Sequence, residues 1–353
     1  MLHRINYVPE GLLDCTADQV VNFIPESTLI TLGGAREDAL FLSILLHGNE
    51  PTGLVALQNI LKKYRDTELP RALLIFIGNV KAAHEGKRRL DGQPDYNRIW
   101  LEGHSDHETE IHQKITDLLH DMARRPLFAS IDIHNNTGLN PHYACVNRLK
   151  SPFLNLARRF SRTVIYFIQP GGVQSKAFSH LCPSVTLECG KVGDEFGIQR
   201  ATAFVDEVLN LDAIESDPVS DNDIDMFHTL AVIKIPEHIS LSFDESDTDI
   251  RFIQGIETLN FEEIPAGTIL AHIREGVDDP TLVMDEEGNV ITQQVFEIRD
   301  NNLITLRPLM PSMLTLDERV IRQDCLCYAM ERYSITMGEK ITRDDAPVWL
   351  PAE

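Results

Sequence analysis

His47 and Glu50 stand three residues apart in FLSILLHGNEPTG, directly after an almost wholly apolar run from Phe41 to Leu46. An imidazole and a carboxylate at the mouth of a buried strand are both ligand types for a catalytic zinc ion. Two other strand-like runs end in groups of the same kind. FASIDIH (128–134) closes on His134 and is followed by Asn-Asn-Thr-Gly, and PSVTLECG carries Glu188 near its end. His47, Glu50 and an imidazole from a neighbouring strand end make a His₂Glu set that leaves a coordination position for water. Asp132, two residues before His134, points to the same face of its strand and is placed to act as an outer partner of that ring. H-x-x-E alone is a weak signal, and most such pairs are polar turns. The agreement of three strand ends gives this one its weight.

These groups need a scaffold that gathers strand ends. Residues 28–213 alternate short apolar runs (TLITL, ALFLSILL, ALLIFIGN, FASIDIH, HYACVN, TVIYFI, SVTLEC) with helical patterns at 52–66, 107–125, 152–162 and 197–211. Such alternation predicts an α/β fold with a mostly parallel or mixed sheet and helices on both faces. Ligands of open α/β sheets bind beyond the carboxyl ends of the strands, where His47, His134 and Glu188 stand. Pro51 suits the first turn of the helix that follows Glu50. ESDPVSDNDID (215–225) reads as a linker. Beyond it come short alternating runs broken by Gly, Pro, Asn and Asp, which predict a β-rich region. The expected domains are therefore 1–213, carrying the chemistry, and 224–353, acidic and β-rich. The stretch 314–353 reads as a helix plus a tail.

The charge supports that division. Residues 1–213 hold 25 acids and 22 bases, net −3, whereas residues 214–353 hold 29 acids and 10 bases, net −19, of the total −22. This charge argues against a nucleic-acid partner, because binding phosphates needs a basic face. No run nears the roughly 20 apolar residues of a membrane span, and the first residues show no secretion signal. Six scattered cysteines, with Cys325 and Cys327 only as C-x-C, suit a reducing cytoplasm rather than a disulfide scaffold or a zinc knuckle. His84, His104, His107, His112, His120, His142 and His180 have no competing ligand spacing. Ser43 lacks the G-x-S-x-G elbow of a serine hydrolase, and Gly171-Gly172 read as a turn.

HGNEPTG, GNVKA (78–82), RRLDGQPDYNR (88–98), DIHNNTG (132–138) and TLECGK (186–191), in that order, resemble the succinylglutamate desuccinylase/aspartoacylase family, which is related to the zinc carboxypeptidases. LNFEEIPAGTILA (259–271) is similar to the β-rich C-terminal part of the desuccinylases, so the resemblance spans roughly residues 28–310. It implies one zinc ion per chain on His47, Glu50 and His134, with Glu188 as the catalytic glutamate. It implies Asn97 and Arg98 as the pair that grips the substrate carboxylate, and Arg89 as the arginine near the scissile carbonyl. The segment departs from the pattern, because Gly92-Gln93-Pro94 add a residue between that arginine and Asn97-Arg98. Arg88 is therefore a rival to Arg89.

The chemistry of these residues agrees. A glutamate aimed at a zinc-activated water can move its proton to a leaving amine, and the planar fork of Arg98 matches a carboxylate. The leading expectation is a zinc-dependent amidohydrolase acting on an acidic N-acyl amino acid such as N-succinylglutamate or N-acetylaspartate. The alternatives are a zinc carboxypeptidase acting on a peptide C-terminus, and a zinc- or ligand-binding regulator without turnover. A homo-oligomer is left open.

Overall fold

The seven apolar runs of residues 28–189 become strands of one sheet, and His3–Ile5, a mostly polar segment ahead of them, adds an eighth strand not expected from the sequence. The eight are β1 (His3–Ile5), β2 (Thr28–Leu32), β3 (Ala39–Ile44), β4 (Leu73–Ile77), β5 (Leu127–His134), β6 (Tyr143–Val146), β7 (Thr163–Tyr166) and β8 (Ser184–Glu188). Five helices lie between them, α1 (Thr52–Lys63), α2 (Val80–His84), α3 (Glu110–Met122), α4 (Ser151–Phe160) and α5 (Gln174–Phe178), and α6 (Glu195–Asn210) follows β8. The computed structural model describes residues 2–101 and 109–336. His104, His107, the start of the 107–125 pattern and the tail from residue 337 lie outside them.

Across this unit the strand order is β1-β2-β4-β3-β5-β8-β6-β7. Strands β4, β3, β5 and β8 run parallel, while β2 pairs antiparallel with β4 and β6 antiparallel with β8. The sheet is thus mixed, with a parallel centre. Every residue of β3, β4 and β8 is buried, as expected where both faces are covered. Alternation sends Phe41, Leu74 and Phe76 to one face, where they pack with Trp100, Leu118, Met122 and Phe178. On the other face α1 lies so close that a Cβ on Gly53 would stand 2.7 Å from Ile44 Cγ2.

By its contacts the chain divides into two units. The first holds the residues up to Asn136 together with His142–Asp225; the second holds Thr137–Pro141 and the chain from Met226. The expected division lies at 213–224, and the contact boundary falls at Asp225. The cause lies in 215–225, which is polar as a linker is but strapped to α4. Glu215 pairs with Arg158 and Arg159, each at 2.7 Å, and Asn155 Nδ2 donates to the carbonyls of Glu215 and Asp217.

The second unit is β-rich. Asp225–Lys234 pairs antiparallel with Leu282–Asp285 and with Cys327–Arg332, which also pairs with Met310–Ser312. A separate sheet joins Leu241–Ser242, Ile250–Phe252, Ile269–Ile273, Asn302–Thr305 and Phe296–Arg299. Ile233, Phe252, Ile256, Leu270, Leu303 and Leu326 are part of its core. The stretch from 314 forms a short helix, Glu318–Gln323, and then a strand. Cys325 and Cys327 are buried and unbridged, and burial pushes the Cys327 thiol up to about 12.

Candidate active site

The chain leaves β3 through Leu45, a buried residue held at φ +53°. A branched side chain in the left-handed region is strained, and such positions cluster at functional sites. The turn that follows carries His47 and Glu50 above the sheet and enters α1 at Pro51, its N-cap. Gly48 is required here, because a Cβ would stand 2.1 Å from the backbone nitrogen of Ala83. His134 ends β5 and Glu188 ends β8, the two standing side by side in register. All four side chains are buried.

Glu50 lies between the two imidazoles. Its Oε1 is 2.8 Å from Nδ1 of His47, and its Oε2 is 2.6 Å from Nδ1 of His134. Nitrogen and oxygen donors of the three residues all lie within 4.8 Å of one another. The far nitrogens are anchored too. His47 Nε2 lies 2.9 Å from Asp95 Oδ1, and His134 Nε2 lies 2.7 Å from Asp132 Oδ2. A carboxylate on the outer nitrogen fixes the tautomer of a ligating histidine and raises its basicity. Two imidazole nitrogens turned inward, a shared carboxylate and two anchored outer nitrogens fit a divalent cation of the zinc type.

A further layer supports these anchors. Ser43 Oγ donates to Asp132 Oδ1 at 2.6 Å. Asp95 accepts from the backbone N–H of Asn97 at 2.8 Å and from Arg88 Nη2 at 2.9 Å. Asn97 is held by its Oδ1, which accepts from the Gln174 backbone at 2.9 Å, so its Nδ2 stands 3.1 Å from His134 Nε2. Close packing fixes the same loop, since a Cβ on Gly172 would lie 2.1 Å from the carbonyl oxygen of Arg98.

Electrostatics separate the carboxylates. Burial alone would raise Glu50, but His47 and His134 hold it well below the usual range. Asp95 is likewise buried and likewise held low, by His47, Arg88 and Arg98. Burial favours a neutral His134, yet Asp132 and Glu50 outweigh it and raise that ring well above its ordinary value. Glu188 goes the other way: burial, reinforced by Glu50 and Asp132 and opposed by His134 and Arg88, pushes it up to about 8. Its Oε2 is buried with no hydrogen-bond partner among the described residues. A carboxyl group near neutrality with an open acceptor suits proton transfer.

The expected residues do not all meet at this point. His47, Glu50, His134, Glu188 and Asn97 do. Arg98 is partly buried beside Asn97, with Nη1 donating to the Asn97 carbonyl at 3.0 Å. Arg89 gives its Nη1 to the Gln93 carbonyl at 2.8 Å, bracing the loop. Arg88 is the arginine turned inward, 3.7 Å from Glu50 Oε1 as well as on Asp95. Sequence reading missed Asp95 and passed over Ser43 as a failed nucleophile. The signal for Asp95 is a carboxylate two residues before Asn97, in a segment already rich in site residues. Among the other histidines, His142 pairs with Asp194, His180 lies against Arg148, and His84 meets the Asp18 carbonyl.

The mixed α/β scaffold gathers at its strand ends two histidines and a glutamate that could hold a metal ion. Residues 38–214 match the succinylglutamate desuccinylase/aspartoacylase catalytic domain. The chain belongs to that family and is a hydrolase. It is 23% identical over 269 residues to a succinylglutamate desuccinylase of Yersinia enterocolitica, covering 69% of this chain and 76% of the relative. Its fold is shared by the succinylglutamate desuccinylase of Chromobacterium violaceum, at TM-score 0.54 and 17% identity over 85% of this chain and 86% of that one. A succinylglutamate desuccinylase/aspartoacylase of Rhodobacter sphaeroides superposes at TM-score 0.55 and 16% identity, covering 86% and 88%. No helix of the described residues is long and apolar enough to cross a membrane.

Proposed function

We propose that the chain is a zinc-dependent amidohydrolase cleaving an N-acyl amino acid, N-succinylglutamate- or N-acetylaspartate-like, into a carboxylate and a free amino acid. The observation that carries this reading is the meeting of both Nδ1 atoms with the two oxygens of Glu50. Family membership and the names of the relatives support the substrate class.

Zinc bound by His47, Glu50 and His134 would polarise the scissile carbonyl and lower the pKa of a water toward ~7. Glu188 takes the proton of the attacking water and passes it to the leaving amine, a role for which its buried Oε2, without a hydrogen-bond partner among the described residues, is free. Arg88 faces the negative charge that develops on the carbonyl oxygen. We assign this role to Arg88 rather than Arg89, because Arg88 is turned toward Glu50 whereas Arg89 Nη1 donates to the Gln93 carbonyl. Asn97 and Arg98 hold the free carboxylate of the amino-acid half, the guanidinium by its planar fork. Ser43 and Asp132 on one side, and Asp95 on the other, keep the two imidazoles in place.

The test is a hydrolysis screen of zinc-loaded protein, with a chelator-treated control, against N-acyl amino acids and short peptides. Zinc-dependent release of a free amino acid from at least one N-acyl amino acid is the expected result. Cleavage of peptides alone would move the assignment to a carboxypeptidase, and binding without turnover to a regulator.

A further inference from the structure

Asn136 follows His134 by two residues, and its side chain is unlike its neighbours. It is 3% exposed, yet among the described residues neither Oδ1 nor Nδ2 has a hydrogen-bond partner. Among the described residues it is the one carboxamide buried with both ends unpaired. Asn135, by contrast, is fully used. Its Oδ1 accepts from Thr52 N at 3.2 Å, its Nδ2 donates to Gly190 O at 3.0 Å, and its backbone N–H donates to Glu50 Oε2 at 3.3 Å. The backbone of Asn136 is pinned beside β8, its N–H donating to Gly190 O at 3.1 Å while Cys189 N donates to His134 O at 3.0 Å. Asn136 therefore sits next to the chain just past Glu188, whose Oε2 is also buried and unpaired.

Burying a carboxamide without partners lowers stability, and alanine at the same place would not carry that penalty. Unpaired buried polar groups are rare in native proteins. At the edge of a catalytic site, a ligand that completes them is the explanation with chemical content. The His134 ring indicates which part of a ligand. Its Nε2 edge faces Asp132 and Asn97, and its Nδ1 edge faces Glu50. The chain runs on to Asn136 along the Glu50 edge, through the Asn135 N–H, whereas Asn97 and Arg98 lie toward the other edge. A substrate with its amino-acid carboxylate at Asn97 and Arg98 would extend its acyl half away from them, toward Glu188 and Asn136.

We propose that Asn136 is a specificity-determining residue that reads the acyl half of the substrate, selecting acyl chains tipped with a hydrogen-bonding oxygen over purely apolar ones. This rests on the N-acyl amino acid reading of the site. Nδ2 donates to the oxygen at the tip of the acyl chain, and Oδ1 accepts from a water or N–H at the same place. A site built to hydrogen-bond a substrate group discriminates strongly against an analogue that lacks it, because the protein group is then left unpaired.

The experiment uses the full-length, zinc-loaded protein, with N-succinyl- and N-butyrylglutamate as a pair that differs in the polar tip. Asn136→Ala is expected to lower kcat/KM for the succinyl substrate about 10- to 100-fold and to leave the butyryl substrate unchanged or improved. A second readout needs no turnover. Ligand-free Asn136→Ala should melt at or above the wild-type temperature, since it removes an unpaired group. Succinate should raise the melting temperature of the wild type but not of the variant, and butyrate should raise neither. Equal fractional losses on both substrates with a lower melting temperature would mean a structural role and overturn the proposal. An unchanged preference, no succinate shift in the wild type, or a shift that persists in the variant would also overturn it. If neither substrate is cleaved, the functional reading fails, while the succinate melting data still decide the role of Asn136.

Discussion

Asp95 Oδ1 lies 2.9 Å from Nε2 of His47, and the other oxygen of that carboxylate lies 2.9 Å from Arg88. One side chain thus orients a candidate metal ligand and the inward arginine together. Asp95→Asn keeps the shape but weakens both contacts. Loss of such an outer carboxylate typically costs 10- to 100-fold in metal affinity or activity. Competition titration of zinc against a chromogenic chelator should show a loss in that range for the variant. An affinity equal to wild type would show that His47 does not depend on Asp95.

Ser43 makes the corresponding contact on the other side. Its hydroxyl donates to Asp132 at 2.6 Å, and both groups are buried. Ser43→Ala leaves one oxygen of a buried carboxylate without that donor. A hydrogen bond to a charged group contributes about 1.5–3 kcal/mol, so the melting temperature should fall by several degrees. Zinc content after purification should remain close to wild type, because Asp132 still reaches His134. An unchanged melting temperature would count against the contact.

Glu188 offers a test with a definite sign. In chelator-treated protein its carboxyl titrates near 8 when folded, against an ordinary value of 4.5. The folded state then holds a proton that the unfolded state has released. Its contribution to stability is fully present below about 4.5 and is lost as pH rises through about 8. Glu188→Gln cannot lose that proton. The variant should therefore gain on wild type as pH rises from about 4.5 to 8.5, followed by parallel denaturant melts of the chelator-treated proteins. With zinc restored, the same variant should bind metal but lose at least ~10²-fold in turnover, the lower range for general acid–base catalysis. A stability difference that does not change with pH, or near-normal turnover, would remove Glu188 from its role.

The chemistry was legible where it depends on residue type at a strand end. His47, Glu50, His134 and Glu188 could be read because an apolar run identifies the strand, and the residue after it must lie at the sheet edge. Asp132 followed from strand alternation. Asp95 was not legible, because its role comes from a loop that meets the turn after β3 through His47 and Gly48, and no periodicity records that path. Arg88 and Arg89 show the same limit. They are adjacent and chemically identical, and only the packed loop decides which guanidinium meets Asp95 and which meets the Gln93 carbonyl. Helices α2 and α5 went unread because five residues make little more than one turn, too few for a 3.6-residue pattern. Residues 215–225 have the composition of a linker, and its attachment to Arg158 and Arg159 lies in tertiary pairing that composition does not reveal.

The second unit contains a test of its own, centred on His228. Its Nε2 lies 3.0 Å from Glu286 Oε1, its Nδ1 lies 3.8 Å from Glu331 Oε1, and the ring of Tyr333 stands edge-on at 6.1 Å. Burial favours the neutral imidazole, but the two glutamates outweigh it and raise His228 to about 9. The folded state therefore holds this proton more tightly than the unfolded chain, whose histidine titrates near 6.5. The resulting stabilisation is fully present below about 6.5 and disappears as pH rises through about 9. His228→Gln keeps a polar side chain of similar size but carries no charge at any pH. At pH 6 it should be less stable than wild type by about 1–3 kcal/mol, the order implied by a shift of this size in a mostly buried group. At pH 10 the two proteins should differ little. Denaturant melts of both, followed from pH 6 to 10, measure the difference directly. A gap that stays constant across that range would mean that His228 acts through packing, and that its charge contributes nothing to the unit.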